Sequence, residues 1–189
     1  MARQIHKRYQ DPVEIIWLHA AKRCGIKVVR DDKVFASWNG SDTLTIGTPE
    51  TLDPDDSLAQ MILHELCHAM VASAEQRSAP DWGLDYDNPQ HQVFEHSALR
   101  LQAWLADQYQ LRSFLASTTD FRSYFDELHC DPLLPATDPA AIKANHAAEN
   151  FDQHPWANTI HDALRQTAEI ANIVGPVAEP LSLWNLKTQ

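Results

Sequence analysis

The order of local patterns along the chain predicts an α+β fold: a helix, a small sheet, a long helix, then a mostly helical second half. Three observations carry this. The chain has 189 residues at 44% hydrophobic, enough for one domain with a sizeable core. Three short strand-like runs lie close together, two of them joined by Asn39-Gly40, a strong hairpin signal. Beyond them, apolar residues recur at helical spacing and strand patterns disappear.

Asp11-Pro12 opens a helix from Val13 to about Cys24, and Gly25 stops it. Ile26 to Val29, Lys33 to Trp38 and Thr43 to Ile46 read as strands. The stretch from Asp53 to Val71 reads as one helix, with Asp53 as cap, Pro54 at its first position, and Asp55 and Asp56 complementing its dipole. Ser78 to Gln90 is a loop containing Pro80, Gly83 and Pro89. Gln90 to Gln110 is helical, with Phe94, Ala98, Leu101 and Leu105 on one side. A short helix starts at Thr119-Asp120, a Pro-rich connection covers Asp131 to Pro139, and helices follow at about Ala140 to Asn150 and Trp156 to Ile173. The tail has no clear period and is expected to wrap the surface or fray.

A formal net charge of −11, with no cluster of lysine or arginine, argues against nucleic acid and anionic membranes as partners. It suits a neutral or basic peptide or protein substrate. No apolar run approaches the ~20 residues of a membrane span. Met1 to Gln10 is charged and lacks the apolar stretch of a secretory signal. Cys24, Cys67 and Cys130 form no CxxC pair, so a disulfide scaffold is not expected and the reducing cytoplasm is the expected compartment.

The most informative string is His64-Glu65-Leu66-Cys67-His68. Histidines four apart lie one turn above each other on a helix, so both imidazoles can close on one metal ion, with the intervening glutamate beside the water that the metal activates. Met61, His64, His68 and Val71 share one stripe, so both histidines face inward. Cys67 points off that stripe and reads as apolar packing.

Two histidines hold a metal weakly, and a catalytic ion normally takes a third protein ligand. Glu95, near the start of the next long helix, is the first choice, because a carboxylate beside buried Phe94 is costly unless it is paired or on a metal. His91, one turn earlier on the same face, is the runner-up, and His96 is turned toward the surface. The loop between the two ligand-bearing helices must pass near the metal. Asp81 or Asp85 is therefore a candidate to orient a ligand histidine, Tyr86 a candidate to stabilise oxyanion charge, and Trp82 a core residue. On this reading residues 1–110 carry the sheet and the metal-site helices, 111–175 a helical extension and 176–189 a tail, within one metal-binding domain.

With these residues in hand the chain resembles zincin-type metalloproteins, and the long spacing from His68 to Glu95 is similar to the gluzincin arrangement. That resemblance covers about Thr43 to Trp104. It implies a small N-terminal sheet over the HExxH helix, a glutamate from a later helix completing the site, and peptide hydrolysis. The core segment also resembles the elongation factor P hydroxylase family, in Asp81-Trp82-Gly83, Tyr86, Phe94-Glu95 and Gln102-Ala103.

Three functions follow as expectations. The first is a zinc hydrolase, a peptidase in which Glu65 takes a proton from metal-bound water and passes it to the leaving amine, with Thr43 to Ile46 as an edge strand aligning the substrate. The second is a non-haem Fe2+ oxygenase on the same ligands, acting on a protein side chain, because two histidines and a carboxylate suit either ion. The third is a binding module that keeps its metal for stability alone.

Overall fold

The computed structural model describes residues 6–85 and 88–186. Helix α1 spans Pro12–Arg23, and the Asp11 carboxylate accepts the N–H groups of Val13 and Glu14 at its start. It ends as the sequence predicts. Gly25 sits at φ +80°, Ile26 N–H returns to the Ala21 carbonyl, and Gly25 N–H to that of Lys22, a terminus that needs a left-handed residue.

Strands β1 (Lys27–Asp31), β2 (Ala36–Trp38) and β3 (Thr43–Gly47) form one sheet in the order β1-β3-β2. β1 runs parallel to β3, and β2 pairs antiparallel with it, Ser37 opposite Thr45. The predicted hairpin is therefore present. The predicted edge strand is not: Thr43–Gly47 is central, and β1 and β2 form the edges. The hairpin turn is closed by the Asn39 side chain, whose Oδ1 accepts the N–H groups of Ser41, Asp42 and Thr43. At its tip Gly40, at φ +80°, lies so close to the 78–80 backbone that a Cβ would come within 2.9 Å of the Ser78 carbonyl oxygen. Only glycine meets both demands.

Helix α2 (Leu58–Val71) carries the HExxH string. It starts four residues later than Pro54, and its cap is Ser57, not Asp53. Ser57 and Gln60 form a reciprocal box in which each side chain accepts the other's backbone N–H, satisfying two orphan donors that an Asp53 start would leave to water. At the other end, Arg77 of the short helix α3 (Ala74–Arg77) donates to the carbonyls of Ala69 and Ala72. The expected 78–90 loop contains a 3-10 turn at Pro80–Gly83.

Helix α4 (Pro89–Asp107) lies against α2 and against α6 (Pro139–Glu149), with the short α5 (Arg122–Asp126) beside it. Helix α7 (Ala157–Val174) packs on α1, where the buried Trp17 indole donates to Thr167 Oγ1 at 3.0 Å. One core joins Trp17, Leu44, Ile62, Leu66, Leu101, Phe151 and Leu164; a smaller cluster of Leu99, Ala103, Ala116 and Phe125 adjoins α5. The tail wraps: Leu183, Trp184 and Leu186 rest on the main core, and Trp184 stacks near Phe114. The architecture is thus mixed α+β, with one small sheet and a helical second half. Among the described residues no helix is long and apolar enough to cross a membrane.

Sequence patterns did not mark Arg100, a buried cation on α4. It donates to Tyr124 Oη, to the carbonyls of Pro132 and Leu134, and to the Asp138 carboxylate, tying the Pro-rich connection to the helix that bears Glu95. A buried charge is tolerated only when satisfied in this way.

Candidate metal centre

Helices α2 and α4 cross so that His64, His68 and Glu95 meet. The two Nε2 atoms are 2.9 Å apart, His64 Nε2 is 3.0 Å from one Glu95 oxygen, and His68 Nε2 is 3.1 Å from the other. Among the described residues this is the cluster able to hold a metal ion. Ligand atoms around a first-row ion at about 2.0–2.1 Å lie roughly 2.8–3.4 Å apart, for octahedral to tetrahedral angles. The triangle therefore suits one ion with little rearrangement.

The donor chemistry argues the same way. Gln102 Nε2 donates to the carbonyls of Leu115 and Ala116 at 2.8 and 3.3 Å, so its Oε1 faces His64 Nδ1 at 2.9 Å. His64 must then carry its proton on Nδ1 and aim the Nε2 lone pair at the centre of the triangle. A lone pair, a second imidazole nitrogen and a buried carboxylate converging at about 3 Å repel one another unless a cation sits among them. Protons supply it when no metal is bound. Burial opposes charge on His64, but the adjacent Glu95 outweighs it and raises the pKa to about 9. Burial likewise opposes the Glu95 carboxylate, and the two histidines pull its pKa well below the usual range.

Glu95 is only 4% exposed, which makes it the costly buried carboxylate that the sequence predicts. His91, the runner-up, lies outside the triangle: its Nδ1 accepts the Asp85 backbone N–H. His96 is not a free surface residue. It is half-buried, stacks on Tyr124 with centroids 3.6 Å apart, and burial lowers its pKa. Cys67 is fully buried and its pKa is pushed well up, first by burial and then by the Glu65 charge, as expected of a packed thiol.

The expected aspartate partner of a ligand histidine is replaced by Gln102. Asp81 instead accepts the backbone N–H of Trp38 at 3.0 Å, and Asp85 presents its backbone N–H to His91. His68 Nδ1 is buried without a protein partner among the described residues; its ring is held by Phe94, at 5.2 Å, and by the near-parallel Trp82, at 6.1 Å. Tyr86 lies outside the described residues.

Trp82 does more than fill the core. Its indole N–H donates to Glu65 Oε2 at 2.7 Å, and its ring stacks on Trp38 at 4.7 Å with the planes 1° from parallel. Asp81, Trp82 and Gly83 all have positive φ, at 48°, 58° and 67°. Two consecutive non-glycine residues in that region store strain, and such strain concentrates at functional sites. Here it turns the indole onto Glu65 while the Asp81 carboxylate holds β2. The signal was present in the Asp-Trp-Gly string, but only the contact gives it a role.

The triangle opens into a cleft of about 330 Å³ between β2, α2, the 81–84 turn and residues 117–121. Side-chain exposure is 20% at His64 and 3% at His68, so the triangle is reached from the cleft on its His64 side. Compared with protein-family models, with curated proteins and with solved structures, the chain matches none of them.

Proposed function

We propose that the protein is a mononuclear metalloenzyme on a zincin-like scaffold, and that it hydroxylates a side chain of a protein substrate in the manner suggested by its resemblance to the elongation factor P hydroxylase family. One observation carries this. Five of the residues that make the resemblance gather around a single site: Asp81 holds β2, Trp82 holds Glu65, Phe94 flanks His68, Glu95 completes the triangle and Gln102 sets the tautomer of His64. Sequence spacing alone does not require residues 21 positions apart, from Asp81 to Gln102, to share one site.

Two histidines and a carboxylate with open positions suit non-haem Fe2+, which when bound supplies oxygen activation. The balanced reaction joins a substrate C–H bond, O2, two electrons and two protons to give C–OH and water; the electrons come from an external reductant such as an enediol. The chain's part is to bind and orient the substrate in the cleft, keep bulk water away, and hold the two imidazoles and Glu95 in place. A binding module that keeps metal only for stability is less well supported, because a structural site is normally closed by four ligands and this triangle opens into a cleft.

The second reading, a zinc peptidase, has an observation of its own: Glu65 lies beside the triangle, and its second oxygen has no hydrogen bond among the described residues. Against it, β2 is the only edge near the cleft among the described strands, and Asp81 already takes the Trp38 N–H that an extended peptide would use. Protein loaded anaerobically with Fe2+, supplied with ascorbate and lysine-containing peptides and then exposed to oxygen, separates the two. Hydroxylation predicts oxygen uptake with the mass gain of one oxygen atom on peptide. Zinc-dependent cleavage that falls by about 10²–10⁴-fold in Glu65→Gln, with no oxygen inserted by the iron form, would establish the peptidase instead.

A further inference from the structure

Two polar side chains in the cleft have no role in the metal triangle. Gln60 lies one turn before His64 on the same face of α2, and Ser117 follows the two carbonyls that fix Gln102. Both line the cleft, at 1% and 4% exposure. Gln60 spends its Oε1 on the Ser57 N–H in the capping box, which leaves its NH2 group turned away from that bond. Gln60 Nε2 and Ser117 Oγ are buried and have no protein partner among the described residues. Each such group carries a desolvation penalty that a native fold rarely bears without a reason.

We propose that Gln60 and Ser117 form a substrate subsite that receives a neutral carbonyl oxygen, the amide of a polypeptide substrate, beside the His64 side of the metal. The proposal rests on the cleft being the substrate site of the metalloenzyme described above. Both groups offer a hydrogen to an acceptor, one from the helix that bears His64 and one from the segment that anchors its Gln102 partner, and both residues line the same cleft. The charge of the cleft selects the ligand. Among its described lining residues there is no lysine or arginine, while Glu65, Asp81, Glu95 and Asp120 are present. Even with a divalent ion in the triangle, whose charge Glu65 and Glu95 match, a carboxylate, whether of an organic acid co-substrate or of a peptide C-terminus, would meet Asp81 and Asp120 and no cationic side chain. An uncharged amide oxygen meets two donors and no repulsion.

The test uses N-acetylalanine methylamide as the neutral probe and N-acetylalaninate as its carboxylate counterpart, each titrated into the Zn2+-loaded full chain and followed by ligand-observed NMR. Ser117→Ala removes one donor. Gln60→Glu removes the other while keeping an acceptor for Ser57, because glutamate also completes this capping box. The neutral probe should bind saturably to the wild type and about fivefold more weakly to each variant, the effect of one hydrogen bond, and the carboxylate should not displace it. Metal content should be unchanged in both variants, and Ser117→Ala should lose no thermal stability, since it breaks no bond. Absence of saturable binding, equal binding to all three proteins, or preference for the carboxylate would each overturn the subsite. The readout is binding and not turnover, so a protein that binds the amide in this way but consumes no oxygen keeps the subsite and loses the hydroxylase reading.

Discussion

The Trp82 indole N–H and the Glu65 carboxylate meet at 2.7 Å, both nearly out of solvent, in a turn where two consecutive non-glycine residues adopt left-handed backbone. A hydrogen bond to a charged group is worth more than a neutral one, and a buried carboxylate that loses its donor bears the full cost of its burial. The strained turn is held because it places this donor, with Asp81 on Trp38 and the Trp38–Trp82 stack holding it from the other side.

Trp82→Phe tests that account. Phenylalanine keeps an aromatic ring against Trp38 but removes the N–H. The variant should lose about 1–3 kcal/mol in denaturant unfolding, bind metal in full, and turn over substrate more slowly. Unchanged stability would mean that the indole only fills space.

Gln102→Leu should leave the fold in place but free the His64 ring to rotate and change tautomer. Loss of such a partner typically costs about 10–100-fold in metal affinity. Competition with a chelator at fixed pH measures it; unchanged affinity would remove Gln102 from the site.

Protons and metal compete for the triangle, and the sign follows from the shifts. In the metal-free protein His64 titrates at about 9, above its ordinary 6.5, so its stabilising contribution is full below 6.5 and fades as the pH rises through 9. Glu95 is shifted the other way, below its ordinary 4.5, so its contribution holds above 4.5 and is lost in stronger acid. The metal-free protein should therefore be most stable between those two ordinary values, and urea midpoints across pH 4 to 10 would show it. Metal must displace the His64 proton, so apparent affinity should rise about tenfold per pH unit until His64 has titrated. A flat affinity between pH 7 and 9 would contradict this.

Cys67 is fully buried off the metal stripe. Cys67→Ala should cost about 1 kcal/mol through lost packing and leave metal content unchanged. Loss of metal would make the thiol a ligand and the site a closed, structural one.

Much of the site was legible because helical geometry is periodic. The spacing of His64 and His68 placed both rings on one face, and the cost of burying Glu95 beside Phe94 singled it out over His91. The longer helices and the β2–β3 hairpin followed from caps, periodicity and Asn39-Gly40, whereas the four-residue α3 is too short to show a period. What could not be read were choices made by tertiary contact. Strand order is one: β3 became central because β1 crosses over to pair with it, and nothing local distinguishes a central from an edge strand in runs this short. The start of α2 is another, where two capping signals competed and the reciprocal Ser57–Gln60 box prevailed over Asp53-Pro54. The partners of Gln102, Trp82 and Arg100 lie 38, 17 and up to 38 residues away, beyond the reach of any local pattern.

The central claim is that one divalent ion is held by His64, His68 and Glu95, and metal stoichiometry tests it most directly. Protein loaded with Fe2+ or Zn2+, desalted and assayed by elemental analysis should carry one ion per chain. His64→Ala should carry none, Glu95→Gln clearly less than the wild type, and His91→Ala the full amount. Full occupancy in Glu95→Gln together with loss in His91→Ala would contradict the account and move the third ligand to the loop side of α4.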